Sequence, residues 1–428
     1  MSLKKNALAT VALTGIAVAV SSAYAAGFQL TEQSSLGLGR AFAGAGIVGD
    51  DLSAVHYNVA GMTLLPGTQV QAGSVFIEVD APFSGYDPLT RQAISENGRL
   101  KGQAIPAGYI THQINDQWWV GLGMTVPYGL GTEYGHSWAG ADHGNQSMVM
   151  TIDINPSVAY KVSEKLSVGA GVSLQYAKAE LGQSKYNHPQ YGNLADVVVK
   201  GDSWHCGFNL GVMYQPTETL RFGLAYRSQI GHNAEGDALF TGDPNILMSG
   251  QYLGVNTQMV TNDFKVRVTT PDTIMATTTW EATPDLRLSG LIRWARWSNL
   301  DQLDIHALGR DSTNYYEWKD TWLFSVGADY RLNNEWTVRG GVAYETSAID
   351  KVELRSATIP DADRVWFSLG ATYHYSKQIQ IDFGAAYLMG VGNMDLYHDA
   401  SASGRSDKIG AFDSLDAYIL GAQVQYRF

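Results

Sequence analysis

The chain has 428 residues, 45% hydrophobic and 16% charged, with a formal net charge of −12. So acidic a chain is a poor partner for nucleic acid, whose binding rests on neutralised phosphates. A single cysteine, Cys206, excludes an intramolecular disulfide framework and a multi-thiolate metal site.

In chain order, Lys4 and Lys5 come first, followed by an apolar stretch from about Ala7 to Val20 and the small-residue pattern Ala23-Tyr24-Ala25. The run is short for a spanning helix, which needs roughly 20 residues. Residues 1–25 are expected to be a cleaved secretory signal, with an uncleaved anchor as the alternative. The signal holds two lysines and no acid, so the mature chain carries 27 basic residues against 41 acidic ones, formally −14. No apolar stretch after residue 25 is long enough for a transmembrane helix.

Residues 26–67 are rich in Gly, Ala and Ser and carry only weak periodicity. Residues 44–49 read GAGIVG, a letter match to the dinucleotide pattern G-x-G-x-x-G. Such a loop must leave a buried strand and open a helix. Here SSLGLGRAFA upstream is glycine-broken, and DDLSAVHYNVAG downstream is too short for a packed helix. No cofactor is expected. The simplest place for the segment is inside a barrel, as a plug in which glycine serves tight turns and close packing.

From residue 68 onward the chain alternates with period two. In YILGAQVQYRF, Tyr418, Leu420, Ala422, Val424, Tyr426 and Phe428 share one face, while the other is largely polar. KLSVGAGVSLQYAK, TLRFGLAYR and DTWLFSVGADYR repeat the pattern. A soluble sandwich would also alternate. These strands, however, run about ten to fifteen residues, against five or six in globular proteins. Tight turns near Asn333-Asn334 and Ser376-Lys377 contrast with long segments at 182–201 and 231–261. Aromatic residues such as Tyr160, Tyr214, Tyr330 and Tyr373 collect beside the tight turns, as interfacial girdles do. The expected fold is all-β: a 14-stranded antiparallel transmembrane barrel over 68–428, with the N-terminal plug in its lumen. The strands fall at 68–80, 102–112, 116–127, 147–161, 165–181, 202–215, 218–230, 262–282, 285–299, 315–331, 334–347, 362–376, 379–391 and 414–428.

Pro127 ends the otherwise regular third strand, followed by Gly129 and Gly131. Proline cannot donate to a ladder and glycine packs poorly in one. This spacing predicts either a kink in the wall or an ordinary strand end.

The run AGFQLTEQSSLGLGRAFAGAG resembles the start of the long-chain fatty acid outer-membrane transporter (FadL) family, which has an aromatic-hydrocarbon branch. DDLSAVHYNVAGM resembles that family's hatch, with Asn58-Val59-Ala60 where Asn-Pro-Ala is usual. PYGLGTEY, WSNLDQLDIHA and IPDADRVWFSLGATYHYS are further matches. The resemblance implies a fourteen-stranded barrel in the outer membrane of a Gram-negative bacterium, a hatch at 26–67, and a monomer among outer-membrane lipids. It implies uptake of hydrophobic molecules, long-chain fatty acids first and neutral or aromatic hydrocarbons as the alternative. It also implies a third-strand kink opening the wall toward lipid, and it puts Phe28 against the substrate pocket.

A fatty-acid carboxylate needs a partner, because burying an unpaired charge is costly. The family places basic residues after strand five and before strand ten, where this chain has Gln183 and Asn314. The nearest cations are Lys178, Lys185, Arg310 and Lys319. Alternation turns Lys319 inward and Lys178 outward, so Lys319 and then Arg310 are the first candidates. A barrel-embedded hydrolase is the rival from another class, but His136, His143, His188 and His232 fall in expected loops with no nucleophile pattern. His205 and Cys206 point to opposite faces of a strand. A hydrophilic porin is a further alternative, against which the plug argues.

Overall fold

The structure is a computed structural model that describes residues 27–86, 92–97, 102–134, 138, 144–188, 192–243, 245, 254–398 and 407–428. The leader, His136 and His143 lie outside the described residues.

Period-two segments whose apolar face has no soluble partner close on themselves, and fourteen strands do so here. The first half comprises β1 (Thr68–Asp80), β2 (Gln103–Gln113), β3 (Trp118–Thr125, resuming at Gly129–Glu133) and β4 (Gln146–Ser163), then β5 (Leu166–His188), β6 (Gly192–Thr217) and β7 (Leu220–Arg227 and Ile230–Gly242). The second half begins with β8 (Thr257–Thr270 and Thr273–Glu281), β9 (Leu286–Ala295 and Gln302–Ala307) and β10 (Arg310–Tyr315 and Thr321–Arg331). It ends with β11 (Trp336–Glu345), β12 (Asp363–His374), β13 (Ile379–Val391) and β14 (Asp416–Arg427). Neighbours pair antiparallel throughout, and β1 meets β14 with Val70 opposite Tyr426 and Phe76 opposite Leu420, which closes the wall.

The burial pattern is that of a soluble protein turned inside out. Phe208, Leu210, Phe222, Leu224, Phe324 and Val326 are exposed, whereas Gln71, Asp153, Gln175, Asp329, Asp382 and Gln425 are buried. Apolar outside and polar inside is the arrangement that lipid imposes on a barrel. Ring pairs Trp118–Tyr160, Trp336–Tyr373 and Tyr426–Phe428, with centroids 4.6–4.8 Å apart, sit by the tight turns at the interfacial level.

Several boundaries differ from the sequence expectation. The segment 182–201 is not a loop: β5 and β6 run on through it to His188 and Gly192. His232 is likewise in β7, buried and bonded to Ser203 and Gln175. Stretches such as GQSKYNH lack an apolar face, so the alternation that marks a membrane strand is missing there. Between β1 and β2, Pro82–Tyr86 and Ala93–Asn97 join Asp395–His398 and Asp407–Phe412 in a small sheet on the long-loop side, packed around Phe83, Trp138 and Phe412.

Residues 27–65 are mostly buried, packed against the inward faces of strands around the wall. α1 (Ser35–Leu38) is capped by Ser34, whose side chain accepts from the Gly37 N–H; α2 (Ala54–Tyr57) follows. The GAGIVG stretch binds no strand–helix junction. Its glycines at 44, 46 and 49 have φ of 71°, 81° and 83°, and the Gly46 carbonyl sits against Gly61, where any side chain would collide with it. The wall gives way where this segment presses on it: Gly341 faces Arg40 and Gly384 faces Ser35.

Charge ties the segment to the barrel near the tight-turn end. Arg40, 2% exposed, pairs with Asp50 at 2.6 Å and with Asp329 of β10 at 3.4 Å, and Arg339 of β11 reaches Asp329 at 2.9 Å. Burial alone would raise the Asp50 carboxyl, but Arg40 and Arg287 beside it hold it well below its ordinary range.

Candidate functional site

The site begins at the break in β3. The β2–β3 ladder stops at Gly108 opposite Met124, and beyond it residues 103–107 of β2 pair only with β1. The strand resumes at Gly129 paired with β4 alone. Pro127 lies in the interruption between the two parts of β3, Trp118–Thr125 and Gly129–Glu133. Proline has no N–H to give and fixes its own φ, so the chain turns inward over Val126–Tyr128.

Backbone groups freed by a kink must find partners elsewhere, and here the N-terminal segment supplies them. Leu30 N–H donates to the Pro127 carbonyl at 2.8 Å, and Gly129 N–H donates to the Phe28 carbonyl at 2.9 Å. Gln29 and Tyr128 form an isolated antiparallel bridge. The Gln33 side chain acts as a peptide group: its Nε2 donates to the Val126 carbonyl at 2.7 Å and its Oε1 accepts from the Val126 N–H at 3.1 Å.

Above this junction Phe28, 3% exposed, enters a cage of rings. Its centroid lies 4.8 Å from Trp297, edge-on, 6.0 Å from Tyr128 and 6.2 Å from Trp318. Leu130, Leu300, Ile349 and Ile359 complete a buried apolar cluster. Trp297 points inward because β9 breaks after Ala295 into a short 3₁₀ turn, Trp297–Asn299.

Beneath the cage is a cavity of about 50 Å³, lined by Leu30, Thr31, His56, Tyr128, Arg227 and Arg293 among others. That is room for a few waters, not for an alkyl chain. Both arginines are engaged: Arg227 with Asp153 at 2.8 Å, and Arg293 with Glu345 at 2.7 Å and with Thr31 Oγ1 at 2.7 Å. Burial holds the His56 imidazole far below its usual range, so it stays neutral beside Arg227.

Of Asn58, Val59 and Ala60, Val59 lines this cavity. Asn58 caps a 3₁₀ turn, Val59–Leu64, by accepting from the Ala60 N–H, and its Nδ2 donates to the Val212 carbonyl of β6 at 3.1 Å. The turn forms without a proline because this cap and the fully buried Val59 fix it. Gly211 makes room, since a Cβ there would lie 2.2 Å from Asn58 Oδ1.

The cations expected near a substrate lie elsewhere. Lys319 is not inward: residues 316–320 interrupt β10, Trp318 takes the inward place, and Lys319 is 46% exposed with Asp350 at 3.9 Å. Arg310 is exposed at the start of β10 beside Gly309. Lys178 faces outward from β5 opposite Asp202. The sequence reading did not single out Tyr128, Trp297, Trp318 or Gln33. Three of them had a signal, Gln33 within AGFQLTEQSSLGLGRAFAGAG, Tyr128 within PYGLGTEY and Trp297 within WSNLDQLDIHA.

Residues 16–428 match the family described as outer membrane protein transport protein (OMPP1/FadL/TodX). The chain belongs to that family. A long-chain fatty acid transport protein of Escherichia coli O6:H1 is 30% identical over 414 residues, covering 91% of this chain and 93% of its own length. Outer membrane protein P1 of Haemophilus influenzae is 29% identical, covering 88% of this chain and 89% of itself. Among solved structures, a Pseudomonas aeruginosa FadL homologue superposes with a TM-score of 0.82 at 24% identity, covering 94% of this chain and all of that one. The Pseudomonas putida toluene transporter TodX gives 0.72 at 17% identity with 94% and 100% coverage, a likeness of fold. As a FadL-family barrel, the protein resides in the outer membrane of a Gram-negative bacterium.

Proposed function

We propose that this barrel takes up long-chain fatty acids, passing them from the Phe28 cage through the break in β3 into the surrounding membrane. One observation carries this reading: an apolar ring cage, plugged by the protein's own N-terminal phenylalanine, lies directly against a gap in the wall. A solute that displaces Phe28 also frees the strand edge at Pro127, Gly129 and Gly131. An oily molecule then has a lateral route and need not enter water below. Asn58, Val59 and Ala60 keep the way to the periplasm shut. The work is transport by a monomer, with no catalytic step and no cofactor.

Substrate class follows the relatives that transport long-chain fatty acids. Arg310 and Lys319, exposed on the long-loop side, serve as first contacts for a carboxylate, and Lys178 lies on the outer wall. Neutral aromatic hydrocarbons are the second reading, favoured by the lack of a free cation among the described residues around Phe28. Binding of labelled oleate to the purified folded barrel, with toluene as competitor and Lys319→Ala alongside, tests the choice. Tight oleate binding that toluene fails to displace supports fatty acids. Ready displacement by toluene, with no effect of Lys319→Ala, moves the assignment to hydrocarbons.

A further inference from the structure

The space held by the N-terminal residues is more specific than an apolar pocket. Gly27 has a φ of 66°, and a Cβ on it would lie 2.9 Å from Cε2 and Cζ2 of Trp297 and 2.8 Å from Cζ3 of Trp318. Its N–H donates to Asp361 Oδ2 at 3.4 Å. Asp361 is buried, ion-paired with Arg364, and also accepts from Ser347 Oγ at 2.9 Å and the Ala348 N–H at 2.8 Å.

The Cε2–Cζ2 edge of Trp297 is the edge that carries its indole N–H. Trp297 is fully buried, and its Nε1 has no protein partner among the described residues. A buried donor left without an acceptor costs free energy, and its persistence asks for an explanation. Trp318 Nε1 is likewise without a protein partner among the described residues, but Trp318 presents its opposite, benzo edge to Gly27, so its N–H points away from the space that Gly27 fills.

Resting on the uptake reading above, we propose that Gly27 and Phe28 hold a head-group site for a long-chain solute with an un-ionised hydroxyl, such as a fatty alcohol or a protonated fatty acid. When the N-terminal segment withdraws, the solute oxygen accepts from Trp297 Nε1. Its O–H donates to Asp361 Oδ2 in place of the Gly27 N–H, and its chain takes the place of the Phe28 ring. A carboxylate is disfavoured there. Asp361 carries the same sign of charge, and Arg364 is already held between Asp361 and Glu345, the latter at 3.7 Å. An unpaired buried charge is the costliest occupant such a site could take.

The test compares dodecanol, dodecyl methyl ether and dodecane on the full-length folded barrel, by displacement of labelled dodecanol. Ratios between protein variants cancel partition into detergent. Wild type is expected to bind the alcohol best, then the ether, then the alkane. Trp297→Phe, which keeps a ring but removes the donor, should weaken alcohol and ether about fivefold relative to dodecane. Trp318→Phe should keep the wild-type ratio of alcohol to alkane. Equal weakening of all three ligands by Trp297→Phe, or no preference for the alcohol in wild type, overturns the proposal while leaving uptake standing. Failure of wild type to bind any of the three overturns the proposal, and the oleate assay decides the uptake reading separately.

Discussion

Leu30 donates its N–H to the Pro127 carbonyl at 2.8 Å, so the plug completes the ladder that the third strand abandons. Solute entry and wall geometry are thereby linked, because the residues that fill the cage also satisfy the kink. Moving Phe28 out of the cage strips backbone partners from Pro127 and Gly129 together.

Gln33 is the most exacting part of that junction. Gln33→Ala removes both side-chain bonds to Val126 and leaves a buried N–H and C=O unpaired, at about 1–3 kcal/mol each. The Val126 amide should exchange its hydrogen much faster than in wild type, while amides of β12 and β13 keep their protection. Unchanged exchange at Val126 would mean that the kink does not depend on the plug.

Arg40 should anchor the other end. Arg40→Ala takes their shared cation from Asp50 and Asp329 but leaves them Arg287 and Arg339, so the loss should stay below the ~3–5 kcal/mol of a fully broken buried pair. The plug should become sensitive to protease added from the periplasmic side, with the wall itself intact. Arg40→Lys restores charge but not the two-pronged geometry, and should recover only part of the protection.

Phe28→Ala empties the cage without touching the main-chain bridge between Gln29 and Tyr128. Core Phe→Ala changes cost about 3–5 kcal/mol, and here the cost falls on the closed state of the plug. Reconstituted barrels should leak small apolar dyes faster than wild type. Wild-type leak and wild-type oleate binding together would dismiss Phe28 as a stopper.

The plug should also respond to pH through Glu32. Burial raises its carboxyl to about 7, with Glu345 adding to the rise and Arg293 and Arg364 opposing it, and its Oε2 has no protein partner among the described residues. The folded plug therefore binds a proton that the withdrawn segment releases at an ordinary carboxyl pKa. The contribution of Glu32 to plug stability is complete below that ordinary value, falls as pH climbs, and is lost above about 7. Protease protection of residues 27–67 should decline from pH 5 to pH 8, and Glu32→Gln should flatten the profile.

How much of this was legible in the sequence depended on whether a residue faced lipid. The outward ladders of β10 to β14 were plain because lipid demands an apolar residue at every second position. The same rule fails above the membrane, where β5 and β6 continue to His188 and Gly192 with no apolar face to mark them. Parity also misled at Lys319, since five residues of broken strand let Trp318 take the inward position. Pro127 marked the kink but could not show what would satisfy it. Gln33 and Trp297 gain their meaning from partners 93 and 270 residues away in sequence, at Val126 and Gly27, which no local pattern encodes.

The central claim is that withdrawal of the N-terminal residues from the third-strand break admits the solute. Gln29 and Tyr128 are bridge partners, a spacing that suits a disulfide. Uptake of labelled oleate by cells carrying Gln29→Cys/Tyr128→Cys in a Cys206→Ser background is the direct measurement. Under oxidising conditions uptake should stop, and reduction should restore it. Equal uptake with the cross-link formed and broken would contradict the account.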